Sequence, residues 1–165
     1  MEAYRFLDDK GTFALKMPEN YSYLYFPVAG EQGIKSAVTP NLGGDSKLDQ
    51  NTFLLEPVSV ENLHNNRSTR NFWCQVDNIG SWSATGASAE EESRKYTNTQ
   101  DESEIVAGLM WQTVTRESRK YQLKSTITSF VPLAHNVEIM RVTITNSGKM
   151  QANFTPTAAV PPYGR

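Results

Sequence analysis

Along most of this chain apolar and polar residues alternate with a period of two, the spacing of strands whose side chains point to opposite faces. Tyr4-Arg5-Phe6-Leu7 leads through Asp8-Asp9-Lys10-Gly11 into Thr12-Phe13-Ala14-Leu15-Lys16, which reads as an opening hairpin. Tyr21 to Phe26 is aromatic at alternate positions and ends before Pro27, so Tyr21, Tyr23 and Tyr25 share one face of a predicted strand. Thr52 to Leu55 and Asn71 to Val76 are further candidates. Near the end, Tyr121, Leu123, Ile127 and Val131 alternate with Gln122, Lys124, Thr126 and Thr128, as in a half-buried strand. Val137 to Thr145 is apolar on both faces, which predicts a central strand covered on both sides, or a bulge. Asn146-Ser147-Gly148-Lys149 then reads as a turn.

Ile105 to Thr115 fits two periods. Val106, Met110 and Val114 align on a helix, whereas Ile105, Ala107, Leu109 and Trp111 align on a strand; Gly108 and Thr113-Val114-Thr115 favour the strand. Helix is expected only in short pieces, Val60 to Asn65 and Ala89 to Lys95, the latter with an acidic start and a basic end. Asn41 to Ser46 and Ala87 to Glu102 read as loops. No repeat or domain boundary is visible. The expected fold is all-β, a large two-layer antiparallel sandwich occupying residues 1–165.

Composition narrows the function classes. A net charge of −2 provides no general attraction for nucleic acid or anionic membrane. No apolar run approaches the ~20 residues of a membrane helix. Met1-Glu2-Ala3-Tyr4-Arg5 lacks the regions of a signal peptide, and one cysteine, Cys74, cannot form an intrachain disulfide. The expectation is a soluble cytoplasmic protein, in which the triplets at Asn20, Asn66 and Asn153 are chance glycosylation matches.

No Walker-type loop and no strand–glycine turn–helix fingerprint is present, and Gly43-Gly44 reads as a turn. His64, His135 and Cys74 lack metal-site spacing, so no metal is expected, and Cys74 within Phe72–Val76 reads as a core thiol. The carboxylates, Glu56, Glu61 and the run Asp101-Glu102-Ser103-Glu104 among them, form no recognisable glycosidase pair. The stretch Gln50 to Trp73 instead suits a sugar: amides and guanidinium groups bond hydroxyls while an aromatic face covers the apolar side of a pyranose. Arg67, Asn71, Trp73 and Trp82 are the candidate carbohydrate contacts, with Trp82, among small polar residues, as the surface platform. Arg67 and Arg70 could clamp anions or hydroxyls, or form salt bridges at a domain edge.

Tyr23-Leu24-Tyr25-Phe26-Pro27, the Gln50–Trp73 stretch, Trp82-Ser83-Ala84-Thr85-Gly86, Glu138 to Asn146 and Pro161 to Arg165 together resemble the N-terminal region of glycoside hydrolase family 94 sugar phosphorylases, formerly glycosyltransferase family 36. The wording looks closest to the branch of 1,2-β-oligoglucan phosphorylase and cyclic β-1,2-glucan synthase. The resemblance implies a β-supersandwich like that of galactose mutarotase, followed in the family by a helical linker and an α/α barrel. That barrel carries the general-acid Asp, and inorganic phosphate attacks the anomeric carbon with inversion; no cofactor beyond this co-substrate is implied. No position here matches the catalytic Asp, so no catalytic residue is assigned. The chain reaches Tyr163-Gly164-Arg165 where family members continue, and Pro161-Pro162 replaces an expected Pro followed by a β-branched residue. The expectation is therefore a sandwich truncated at its C-terminal side, missing its barrel, with open strand edges that favour a homodimer or strand exchange. Two other readings stand beside it: a stand-alone module binding β-glucan oligosaccharides, and an interaction protein that pairs through exposed edges.

Overall fold

Leu123, Ser125, Ile127 and Ser129 are buried, while Lys124, Thr126 and Thr128 between them are half-buried, so one face of this strand turns to a core and the other to solvent. In the computed structural model, which describes residues 4–21, 24–59 and 69–163, this pattern organises the whole molecule. The strands are β1 (Tyr4–Phe6), β2 (Phe13–Lys16), β3 (Phe26–Ala29), β4 (Lys35–Val38), β5 (Ser46–Lys47), β6 (Phe53–Leu55), β7 (Asn71–Val76), β8 (Gly80–Ser83), β9 (Glu102–Gly108), β10 (Trp111–Ser118), β11 (Leu123–Phe130), β12 (Ile139–Asn146) and β13 (Phe154–Ala159). One short helix, α1 (Ala89–Arg94), is capped by Ser88, whose side chain accepts from the Glu91 amide.

The strands form a six-stranded sheet, β1-β2-β9-β10-β11-β12, a three-stranded sheet, β13-β7-β8, and a four-stranded sheet, β3-β4-β5-β6, all antiparallel in their pairings. Because β2 pairs with β9, most of the second layer is inserted between two neighbouring strands of the first. One core joins all three sheets: Val28, Ile34 and Val38 from the β3–β4 hairpin, Cys74, Val76 and Trp82 from β7 and β8, and Leu123 and Ile127 from β11. Serines on the inner face let the layers approach, and Ser125 Oγ donates to the Ala84 carbonyl at 2.8 Å. Leu15, Phe26, Ile105, Ala107 and Val114 form a second cluster. The expected all-β antiparallel sandwich is thus the observed architecture.

Several elements differ from their sequence reading. Ile105 to Thr115 is two strands: β9 and β10 pair directly, joined by Leu109 and Met110, and Met110 adopts φ 61. A turn this tight conserves the two-residue period on both sides, which hides it in the pattern. The Tyr21–Phe26 strand is displaced, since β3 begins at Phe26 and includes Pro27. This is tolerated because β3 is an edge strand, where a missing N–H costs no ladder bond. Among the described residues Val137 to Thr145 is not a central strand. β12 begins at Ile139 and lies at a sheet edge, with Arg141, Thr143 and Thr145 exposed. Val137, which lent the second face its apolar look, precedes the strand and is exposed. The predicted helix over Val60 to Asn65 lies outside the described residues.

A buried ion pair seams the layers. Arg70 donates to the carbonyls of Leu42 (3.3 Å), Gly44 (3.4 Å) and Asp45 (3.1 Å), and pairs with Glu138, which also accepts from Ser36 Oγ. Gly44 permits the loop: it adopts φ +106, and a Cβ there would stand 1.9 Å from the Ala37 carbonyl oxygen. Replacing Arg70 with Met should cost about 3–5 kcal/mol in denaturant unfolding, because Glu138 is left buried and uncompensated. Glu138→Gln removes the counter-charge of Arg70 but leaves its guanidinium bonded to three carbonyls and keeps a neutral acceptor for Ser36, so it should cost less; equal losses would contradict this account.

Candidate functional site

The four-stranded sheet carries a groove large enough for a small ligand. It holds about 290 Å³ and is lined by Tyr25, Lys35, Asp45, Lys47, Val58 and Ser59, among others. On β4, Ser36 and Val38 turn inward, which directs Lys35 and Ala37 outward. Lys35 stands directly opposite Lys47 of β5 in the ladder, so two ammonium groups share one face. Like charges placed this way repel each other unless another group offsets them. Lys47 lies over the Phe53 ring at 5.6 Å. Tyr25, 50% exposed just before β3, supplies an aromatic face at the mouth. A ring surface beside ammonium and carboxylate groups is a lining that can take a hydroxyl-rich ligand.

Of the residues selected from sequence, those among the described residues do not line this groove. Arg67 lies outside the described residues. Asn71 is buried and fully engaged: its Oδ1 accepts from Phe72 N, Ser83 Oγ and Thr85 Oγ1 at 2.8–2.9 Å, and its Nδ2 donates to the Ala87 carbonyl. Trp73 is half-buried on β7, while its neighbour Cys74 faces the core opposite Trp82. Trp82 is not a surface platform. It is 1% exposed, donates Nε1 to Asp101 at 2.9 Å and stacks on Tyr121 with centroids 6.3 Å apart. Its small polar neighbours Ser83 and Thr85 are themselves buried around the Asn71 amide, which is why their composition misleads. Arg70 takes the salt-bridge role rather than the anion clamp. Tyr25, the residue missed, was marked only by the alternating tyrosines, and a lone exposed ring has no distinctive spacing.

The buried titratable groups are committed to structure. Arg116 contacts Glu19 at 3.2 Å and Glu91 at 3.8 Å, and Arg94 pairs with Glu91 and lies 3.8 Å from Asp101. Burial, then the Asp101 charge, pushes the Glu91 carboxyl above its ordinary range despite the two arginines. A raised carboxyl can serve as a general acid, but the void beside Glu91 and Arg116 holds only about 10 Å³, room for one water and not a sugar ring. Cys74 is wholly buried, which pushes its thiol up to about 11 and keeps it un-ionised near neutrality.

A raised acid binds its proton more tightly when folded, so Glu91 contributes stability at low pH that is lost as pH rises from the ordinary glutamate value through its raised one. Glu91→Gln should remove that slope. Melting temperature measured against pH for both proteins should converge toward the acid side and separate above it; parallel curves would show that Glu91 is not raised.

Residues 30–161, most of the chain, match the family described as glycosyl hydrolase 94, supersandwich domain. Compared with curated proteins, the chain matches none. The three-sheet antiparallel architecture agrees with that description. The chain belongs to the supersandwich-domain family of glycosyl hydrolase 94.

Proposed function

We propose that this chain is the N-terminal, non-catalytic sandwich of a β-glucan oligosaccharide phosphorylase, an enzyme that transfers a glycosyl unit to inorganic phosphate. The observation that carries the reading is the family match over residues 30–161. The buried acids agree with a supporting role, since Glu19, Glu91, Asp101 and Glu138 are each bonded to arginine, serine or tryptophan partners. In this reading the sandwich supports a catalytic barrel, the barrel supplies the reacting groups, and phosphate is a co-substrate. Mixed with a β-1,2-linked glucan oligosaccharide and phosphate, the chain alone should release no sugar 1-phosphate. Turnover by the isolated chain would overturn the non-catalytic assignment.

The groove on the four-stranded sheet favours a second reading, a module that holds β-glucan oligosaccharides without reacting them. Tyr25 would cover the apolar face of one ring, while Lys35 and Lys47 donate to its hydroxyls. Calorimetric titration with a series of β-glucan oligosaccharides should give saturable binding that weakens about tenfold or more in Tyr25→Ala, a loss of the size expected for one ring contact. Trp73→Ala should leave it unchanged. No heat with any oligosaccharide would remove this reading and leave the first standing.

A further inference from the structure

The groove on the four-stranded sheet has a charge pattern that a neutral sugar leaves unexplained. Lys35 of β4 stands directly opposite Lys47 of β5, and among the described residues neither ammonium is in an ion pair. Lys47 faces the Phe53 ring instead. Lys35 reaches Asp49 only weakly: the Asn51 amide, then Thr52, and last the Lys35 charge hold that carboxyl below its ordinary range. Like charges directly across a ladder destabilise it, so an anion placed between the two ammoniums would relieve their repulsion.

The rest of the lining follows in a fixed order along the strands. Side chains two residues apart share a face and stand about 7 Å apart. Ala37 follows Lys35 on the outward face of β4, and its amide donates to the Asp45 carbonyl, so Asp45 lies one such step along from the lysine pair. Phe26 pairs with Val38, and Tyr25 precedes Phe26, which sets the tyrosine ring at the Asp45 end. The groove thus runs from two ammoniums to a carboxylate and an exposed aromatic ring. A carboxylate accepts from hydroxyls and repels a second anion. At about 290 Å³ the groove is also small for a ligand pocket, a class that spans roughly 300–1,000 Å³.

We propose that the groove holds an acidic monosaccharide, a pyranose carrying one phosphate or carboxylate group. The anionic group sits between Lys35 and Lys47, ring hydroxyls donate to Asp45, and the apolar face of the ring lies against Tyr25. This rests on the reading of the groove as a sugar site and narrows it, giving the lysines an anionic group in place of hydroxyls.

Calorimetric titration of the whole chain with glucose, glucose 6-phosphate, glucuronate and inorganic phosphate tests the proposal. At least one acidic sugar should bind about tenfold or more tighter than glucose, and tighter than inorganic phosphate; the one that does identifies the anionic group. Lys35→Met and Lys47→Met should each erase most of that preference, and Lys35→Arg should keep it. Tyr25→Ala should weaken acidic and neutral sugars alike and leave their ratio unchanged. Lys35→Met should melt no lower than the wild type, because it removes one of two opposed charges, so its lost preference is not lost folding. Glucose bound as tightly as both acidic sugars overturns the proposal and leaves the neutral-sugar reading standing. Inorganic phosphate bound as tightly as glucose 6-phosphate overturns it as well, since the sugar then adds nothing. No heat with either acidic sugar also overturns it, and the β-glucan oligosaccharide titration then shows separately whether the sugar reading falls too.

Discussion

The Arg70 guanidinium is buried between the loop that links β4 to β5 and the segment that leads into β12, and a charge in that position must be paired and hydrogen-bonded. Glu138 provides the charge, and the carbonyls of Leu42, Gly44 and Asp45 absorb the remaining donors. The consequence reaches beyond the pair. The loop carbonyls can converge only because Gly44 is a glycine, and Glu138 can arrive only if β11 and β12 are in register. Ser36 and Ser46, hydrogen-bonded to each other, tie the floor of the Tyr25 groove to the same carboxylate. The geometry of the candidate site thus depends on a contact between residues 68 positions apart.

A second polar network explains how so polar a chain sustains a sandwich. Asn71 organises Ser83, Thr85 and Ala87, and the Glu19–Arg116–Glu91–Arg94–Asp101 group fills the volume beneath α1. Buried ions contribute less net stability than well-packed apolar residues of the same volume, but each admits few partners at few angles. The cluster requires α1, the Pro18–Asn20 turn and β10 to meet in one way. It also accounts for the proximity of carboxylates that might otherwise be taken for an acid–base pair.

The family match covers β4 to β13, and the groove residues other than Tyr25 lie within it, on the short strands of the four-stranded sheet and the segment after β6. Short edge hairpins can change their outward residues without disturbing the core, since Lys35 and Lys47 point away from Val28 and Val38. The layered core, by contrast, is shared by all three sheets and tolerates little independent change.

Read alone, the sequence determined the strand-rich character, the hairpin at Tyr4–Lys16, the inward face of β11, the short helix near Ala89 and the core position of Cys74. These follow from period-two alternation, from charge at helix ends and from burial preference, which act over a few neighbouring residues. Its motifs also pointed to the family to which the chain belongs. Tertiary structure alone decided that Ile105–Thr115 folds back on itself, that β12 is an edge, that Trp82 is sealed against Asp101 and Tyr121, and that Tyr25 borders a groove. In each case the outcome rests on which strand lies alongside. That is fixed by packing and hydrogen bonding between residues far apart in sequence, where the local pattern of side chains carries no information.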